Sequence, residues 1–263
     1  MKTAQLTSSK NPLLKDVRRA IARGSLTSEG LCIAETFHLL EEALRSECVI
    51  SAVIAAGAAL EEVESRLGGN DINVLTVPDA LFAEISATQA NQGVMALAEP
   101  PAWLLDDIFA EPALTVVIDG IQDPGNAGAI LRAAEAFGAS GVLFLKGSVS
   151  PYNPKAIRAS AGSVFRLPLV TGMEEGLACA ALTSKSVTAY AAMPDGETSL
   201  PDVDLSQPCA LIIGSEGRGV TSAQLRRLAL GLRIPTSHVE SLNAAMAAGI
   251  LLYEARRQRP YPA

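Results

Sequence analysis

The stretch LTVVIDGIQDPGNAGAILRAAEAFGASGVLFL, residues 114–145, decides the fold. It opens on LTVVID, a continuous apolar run ending in an acid, as expected of a strand buried on both faces. Pro124 with Gly120, Gly125 and Gly128 marks a turn, and AILRAAEAF then repeats apolar residues at helical spacing. GVLFL, 141–145, is a second continuous apolar run. Strand, helix and strand in so short a span is the repeating unit of a parallel sheet. The alternation continues downstream. NPKAIRASAG (153–162) predicts a helix, VFRLPLV (164–170) a strand and MEEGLACAALTS (173–184) a helix. VTAYAAM (187–193) and CALIIGS (209–215) predict strands, TSAQLRRLA (221–229) a helix and LRIP (232–235) a strand. SLNAAMAAGILLYEARRQR (241–259) closes the chain with a long helix. The pattern predicts an α/β domain over 113–263, with a mostly parallel sheet covered on both faces.

Upstream, the residues predict a smaller α/β domain over 1–100. Asn11-Pro12 starts a helix through LLKDVRRAIA. GLCIAE (30–35) reads as a strand, and TFHLLEEALRS as a helix with Thr36 as its N-cap. VISAVIAAG, INVLTVP and GVMALAE read as strands; EEVESRL and PDALFAEISAT read as helices. The prolines and acids of PPAWLLDDIFAEPA suggest a linker at 101–112.

Composition narrows the function. The 263 residues are 49% hydrophobic and 19% charged, which is an ordinary globular balance. A net charge of −7 argues against gripping nucleic acid by bulk charge. The distribution is uneven, however: residues 1–23 carry +5, 24–99 carry −10 and 100–263 carry −2. Cys32, Cys48, Cys179 and Cys209 show no CxxC spacing, and His38 and His238 are the only histidines. Metal sites and a Ser-His-Asp triad are therefore disfavoured. No signal peptide and no 18-residue apolar run are apparent, so a cytoplasmic chain without a membrane span is expected.

Three segments at predicted strand ends carry polar residues suited to a site, where open α/β sheets bind ligands. In the first, Asn126 is placed to cap a helix and Arg132 follows within two turns. The spacing is not GxGxxG, and Lys146 stands where a dinucleotide site would need an acid. In the second, three glycines of GSEGRG (214–219) allow close backbone approach to a ligand, with Glu216 available to orient a basic group. In the third, Ser241 and Asn243 sit at a helix start and lead into the small residues of AAMAAG. A capped turn, a solvated carboxylate and an alanine-rich core helix would each give the same local pattern.

Taken in order, these segments resemble the SpoU (TrmH-like) family of RNA ribose 2′-O-methyltransferases. The resemblance rests on N-x-G-x-x-x-R at Asn126, Gly128 and Arg132, GSEGRG at 214–219, Ile234-Pro235, and SLNAAMAAGILLYEARRQR. PKAIRASAGSVFRLP between them is similar to family sequence. SSKNPLLKDVRRAIAR, GLCIAE and NQGVMALAE resemble the small substrate-binding domain attached to many members, so the likeness covers nearly the whole chain. GLCIAE and AAMAA depart from the commoner F-x-x-E-G and Val-Ser-Val-Ala segments.

The resemblance implies a trefoil knot, where general topology rules would give an unknotted sheet. It also implies a homodimer built from the first and last helices of the larger domain. The implied cofactor is S-adenosylmethionine, leaving as S-adenosylhomocysteine, with no metal because the sulfonium carbon is already electrophilic. The implied catalytic set is Arg132, Asn126, Glu216, Ser241 and Asn243, with Arg132 better suited to stabilising an alkoxide than to acting as a base. Ile212, Gly214, Gly219, Ile234, Pro235, Leu242 and Asn243 would hold the cofactor. For RNA contact the candidates are Lys10, Lys15, Arg18, Arg19 and Arg23, with Arg158, Arg166 and Arg218 on the larger domain. Ribosomal RNA is favoured over transfer RNA. A catalytically silent RNA-binding relative and an NAD(P) enzyme are the competing classes; the intact polar set argues against the first and the absent fingerprint against the second.

Overall fold

The computed structural model of the chain describes residues 3–46, 48–88 and 90–260. It divides into two compact units. One comprises residues up to 102 together with 150–166, the other 103–149 and 167 onward.

The first unit is built from β1 (Thr3–Gln5), α1 (Pro12–Arg23), β2 (Cys32–Glu35), α2 (Phe37–Arg45), β3 (Ile50–Ala56), α3 (Leu60–Leu67), β4 (Val74–Val77), α4 (Asp79–Ile85) and β5 (Val94–Ala98). Its sheet runs β1-β4-β3-β5-β2; β5 is antiparallel to both its neighbours and the other pairs are parallel. The short polar strand β1 was not expected, since TAQ carries no periodic signal. Asn11 Oδ1 caps α1 by accepting from Leu13 N at 2.9 Å, and Gly24 ends it in a left-handed conformation. Leu14, Val17 and Ala20 face the core, which leaves Lys15, Arg18, Arg19 and Arg23 exposed. Thr36 caps α2 as its residue type predicts.

The second unit begins earlier than a free linker at 101–112 would allow. Leu105–Phe109 form a short 3₁₀ helix, and Ile108 and Phe109 are buried in this unit's core. Gly141 makes room for that segment: a Cβ there would lie 2.8 Å from Ile108 Cα. The chain continues through β6 (Leu114–Asp119), α5 (Pro124–Ala136) and β7 (Gly141–Leu145). It then leaves to add α6 (Pro154–Ser160) to the first unit. On return it forms β8 (Leu169–Met173), α7 (Glu175–Ser184), β9 (Thr188–Ala192), β10 (Thr198–Ser199), β11 (Cys209–Gly214), α8 (Ala223–Leu228), β12 (Leu230–Arg233) and α9 (Ala244–Gln258).

The seven strands are all parallel in the order β10-β12-β9-β11-β6-β7-β8. VFRLPLV is not one strand. Ser163–Phe165 form a 3₁₀ turn with Val164 and Phe165 buried in the first unit, and β8 begins only after Pro168, which has no amide hydrogen to donate.

Apolar residues of the sheet, including Val117, Leu143 and Ile212, pack with Ala178, Leu182 and Leu225 of α7 and α8. α5 packs on α9, with the Phe137 and Tyr253 rings edge to face at 5.8 Å. The far end of α9 is anchored by Arg259. Its guanidinium donates to the carbonyls of Leu205 (2.9 Å), Pro112 (2.9 Å), Ala113 (3.0 Å) and Gln207 (2.7 Å). Burial pushes the nearby Cys209 thiol up, and the charge of Arg259 offsets part of that rise. Among the described residues no helix is long and apolar enough to cross a membrane.

Candidate active site

In the second unit's sheet, β6 and β11 are neighbours, and the chain leaves β6 toward β7 but leaves β11 toward β12 on the other side. Such a switch point opens a crevice beyond the carboxyl ends of the strands. Three segments meet there, and each brings one polar side chain.

From the first turn of α5, just after β6, comes Asn126. It is not the helix cap: Asp123 caps α5, its Oδ1 accepting from Asn126 N at 2.8 Å. The Asn126 side chain is thereby left for tertiary contact, and its Nδ2 donates to Glu216 Oε1 at 2.9 Å. From the loop after β11 comes Glu216 itself. The same Oε1 also accepts from Asn243 Nδ2, which sits 3.1 Å from Asn126 Oδ1. Asn243 is the N-cap of α9; its Oδ1 accepts from Ala245 N at 3.0 Å and Met246 N at 3.2 Å. Both ends of the Asn243 amide are thus committed, one to the helix and one to Glu216. That fixes the carboxylate relative to α5 and α9.

Beside this cluster lies a cavity of about 900 Å³. Its walls include Gly214, Gly219, Ile234, Pro235, Ser241 and Leu242, all expected from the sequence. Ile212 does not reach it. It is fully buried in the core beneath α7 and α8, and its neighbour Ile213 lines the cavity instead, as the period of two along a strand requires. Arg218 is on the cavity wall, joined by Arg226, Arg233 and Asp195, which were not anticipated. Nothing in their local sequence marks these three, because α8, the return of β12 and the turn after β9 place Arg226, Arg233 and Asp195 there in turn.

The glycines of GSEGRG serve different ends. Gly214 sits so close to Gly219 and Val220 that no Cβ fits, Gly219 adopts φ +62°, and Gly217 faces open space. Close approach of chain to chain, rather than only to a ligand, explains the first.

The predicted arginines separate. Arg132 is exposed on α5; six residues beyond Asn126 is roughly 9 Å along the axis and about 120° round it. Arg158 and Arg166 both face acids within the first unit, although the buried Nη1 of Arg158 makes no hydrogen bond among the described residues. Arg158 lies 3.9 Å from Glu35, whose buried carboxylate also accepts from Thr88 Oγ1 and Ala87 N, and Arg166 pairs with Glu42. On α1, Arg18 pairs with Glu84 at 3.1 Å across the surface, and Arg19 lies 3.8 Å from Asp16. No group of three or more His, Cys, Asp or Glu among the described residues is arranged to hold a metal ion.

Residues 113–253 match the model of the SpoU rRNA methylase family, more than half of the chain. The chain belongs to that family. Residues 11–96 match the MRM3-like substrate binding domain, which accounts for most of the first unit. Among SpoU-family relatives, the chain is 29% identical to the 23S rRNA (guanosine(2553)-2′-O)-methyltransferase RlmP of Bacillus subtilis, over 96% of this chain and 99% of that one. Its structure is similar to that of an AdoMet-bound rRNA methyltransferase from Sinorhizobium meliloti, with a TM-score of 0.85, 29% identity and coverage of 97% and 98%. It is likewise similar to the SpoU methyltransferase AviRb from Streptomyces viridochromogenes in complex with AdoMet, with a TM-score of 0.85, 27% identity and coverage of 95% and 98%.

Proposed function

We propose that this SpoU-family chain transfers a methyl group from S-adenosylmethionine to a ribose 2′-hydroxyl of ribosomal RNA in the cytoplasm, leaving S-adenosylhomocysteine. The observation that carries this reading is the hydrogen-bonded Asn126–Glu216–Asn243 cluster at the mouth of the cavity. The cavity suits the cofactor. Its volume is in the range of small-molecule sites, Ile213, Leu232, Ile234 and Pro235 offer apolar walls for an adenine, and Asp195 and the arginines offer partners for a zwitterionic head. Bound there, the cofactor supplies an electrophilic methyl on a sulfonium.

The chain's own residues do the rest. Backbone of 214–219 and 234–235 holds the ligand, and the fixed Glu216 carboxylate orients the ribose. The Arg132 guanidinium stabilises charge developing on the 2′-oxygen. Alignment of the two reacting atoms lowers the barrier by several kcal/mol, ~7–11 in the best cases. The exposed Lys10, Lys15, Arg19 and Arg23 form a local strip for RNA phosphates, so affinity should fall only modestly with salt.

The same reading includes the family's knot. Asn243, which follows β12, is bonded back to residues that follow β11 and β6, the return path a threaded C-terminal segment takes. It also includes a homodimer through α5 and α9, because Met246 and Tyr253 leave large apolar surface exposed on α9. Sedimentation equilibrium is expected to give twice the chain mass; a monomer at micromolar concentration would remove the dimer.

The decisive test incubates the protein with labelled S-adenosylmethionine and ribosomal or transfer RNA, then maps 2′-O-methyl sites. Labelling of ribosomal RNA is expected. Arg132→Ala should lower kcat by ~10²–10³, the usual cost of a lost oxyanion donor, with cofactor affinity kept. Labelling confined to transfer RNA would move the substrate, and full activity of Arg132→Ala would remove the role of that residue.

A further inference from the structure

Asp119 ends β6 with an acidic side chain, yet the residue is only 5% exposed. Its carboxylate is spent on one short segment. Oδ2 accepts from Thr221 N, from Ser222 N at 2.8 Å and from Thr221 Oγ1 at 3.1 Å; Oδ1 takes a further contact from Thr221 Oγ1 at 3.0 Å. Ser222 is in turn the N-cap of α8, accepting from Leu225 N at 3.1 Å. The backbone of Asp119 has a second attachment: in the β6–β11 register its partner is Gly214.

These two attachments bracket the loop that lines the cavity. Gly214 is where the chain leaves β11, and Thr221 and Ser222 are where it enters α8. Between them Ser215 and Gly219 exchange hydrogen bonds at 3.0 and 2.7 Å, which closes the loop on itself. The loop therefore has one internal bridge; its start lies level with Asp119 in the β6–β11 ladder, and its end is held by the Asp119 carboxylate. A carboxylate suits the second fastening. It accepts two backbone N–H groups and a hydroxyl together, and as an anion it holds them more strongly than a neutral amide oxygen would.

We propose that Asp119 is a positioning residue for the cofactor site: its carboxylate holds the end of the 215–220 loop beside the ladder that holds its start, so that the loop backbone is pre-shaped to receive S-adenosylmethionine. Asp119 is not on the cavity wall and acts through the loop, so it governs cofactor affinity rather than the chemical step. Pre-organisation of this kind is read in binding, because a loop that must order on binding weakens affinity by the cost of ordering.

This inference rests on the cavity being the cofactor site, and the experiment separates the two. Calorimetric titration with S-adenosylmethionine is run on the wild type, Asp119→Asn, Thr221→Val and Thr221→Ser, alongside steady-state kinetics with RNA. Asp119→Asn is expected to weaken binding at least tenfold and raise KM for the cofactor in parallel, with kcat at saturating cofactor within threefold of wild type. Thr221→Val, which removes one arm at an exposed position and does not threaten folding, is expected to weaken binding three- to tenfold. Thr221→Ser, which keeps the hydroxyl, is expected to rescue it. Should Asp119→Asn fail to fold, the Thr221 pair decides alone. Wild-type affinity in Thr221→Val or in folded Asp119→Asn, or a loss of kcat with KM unchanged, overturns the role of Asp119. Absence of binding by the wild type overturns the cofactor reading itself.

Discussion

Gly214→Ala is expected to abolish detectable binding of S-adenosylmethionine. The loop after β11 folds back so that Gly219 and Val220 pass directly over Gly214, and the position of an added Cβ falls inside the carbonyl of Gly219 and the amide nitrogen of Val220. Those are backbone atoms, so no rotamer change relieves the clash; the loop must open. Opening breaks the Ser215–Gly219 bridge and displaces residues that form the cavity wall. Overpacking of this sort costs about 1–3 kcal/mol in stability. The binding loss is expected to reach the top of that range, roughly 100-fold or about 2.7 kcal/mol, because the displaced backbone is the ligand-facing part. Gly217→Ala is the internal comparison: its Cβ meets open space, so its melting temperature is expected to match wild type. Differential scanning fluorimetry and calorimetric titration check both. Gly214→Ala binding within threefold of wild type would show that the loop can be rebuilt around the methyl group.

Arg259→Ala carries the largest expected stability effect. The side chain follows α9 and joins the segment 205–207 to Pro112 and Ala113, at the entrance to β6, through four carbonyl oxygens. Ala113 O also accepts from Cys209 N at 3.0 Å. Removing the guanidinium strands buried acceptors at about 1–3 kcal/mol each. A net loss of about 3–5 kcal/mol is expected once water reaches the rim, which for a chain of this size is roughly 10 °C in melting temperature. Lysine offers one compact ammonium in place of a planar fork and cannot serve all four carbonyls, so Arg259→Lys should recover about half of the loss. A melting temperature for Arg259→Ala within 2 °C of wild type would contradict this account.

Much of the fold is legible in the residues because buried parallel strands are written as continuous apolar runs, and all nine α-helices among the described residues fall where periodicity and capping place them or within a few residues of it. β1 and β10 are short and polar and carry no such mark. VFRLPLV misleads because burial of Val164 and Phe165 looks the same in sequence whether it comes from a strand or from a 3₁₀ turn in the other unit. The site is legible by residue type at Asn126, Glu216 and Asn243. The role of Asn126 is not read correctly from its capping propensity, although Pro124 already points to Asp123, since proline favours the first helical position. Asp119 also carried a signal: an acid closing an apolar run needs buried donors. Arg259 carried none, being indistinguishable by type from Arg256 and Arg257 on the same tail.

The discontinuity of the first unit has a consequence for how the chain is made. On a translating ribosome the residues up to 102 emerge first, but Ile157, Val164 and Phe165, which are fully or nearly fully buried there, arrive about 60 residues later. At synthesis rates of ~5–20 residues per second that is a delay of several seconds, during which β6, α5 and β7 appear. The apolar surface awaiting α6 stays open throughout, and Glu42 lacks Arg166. The substrate-binding unit is therefore finished from within the next one: it cannot be excised at residue 102 as an independent module, and a ribosome paused between 102 and 166 holds an incomplete core.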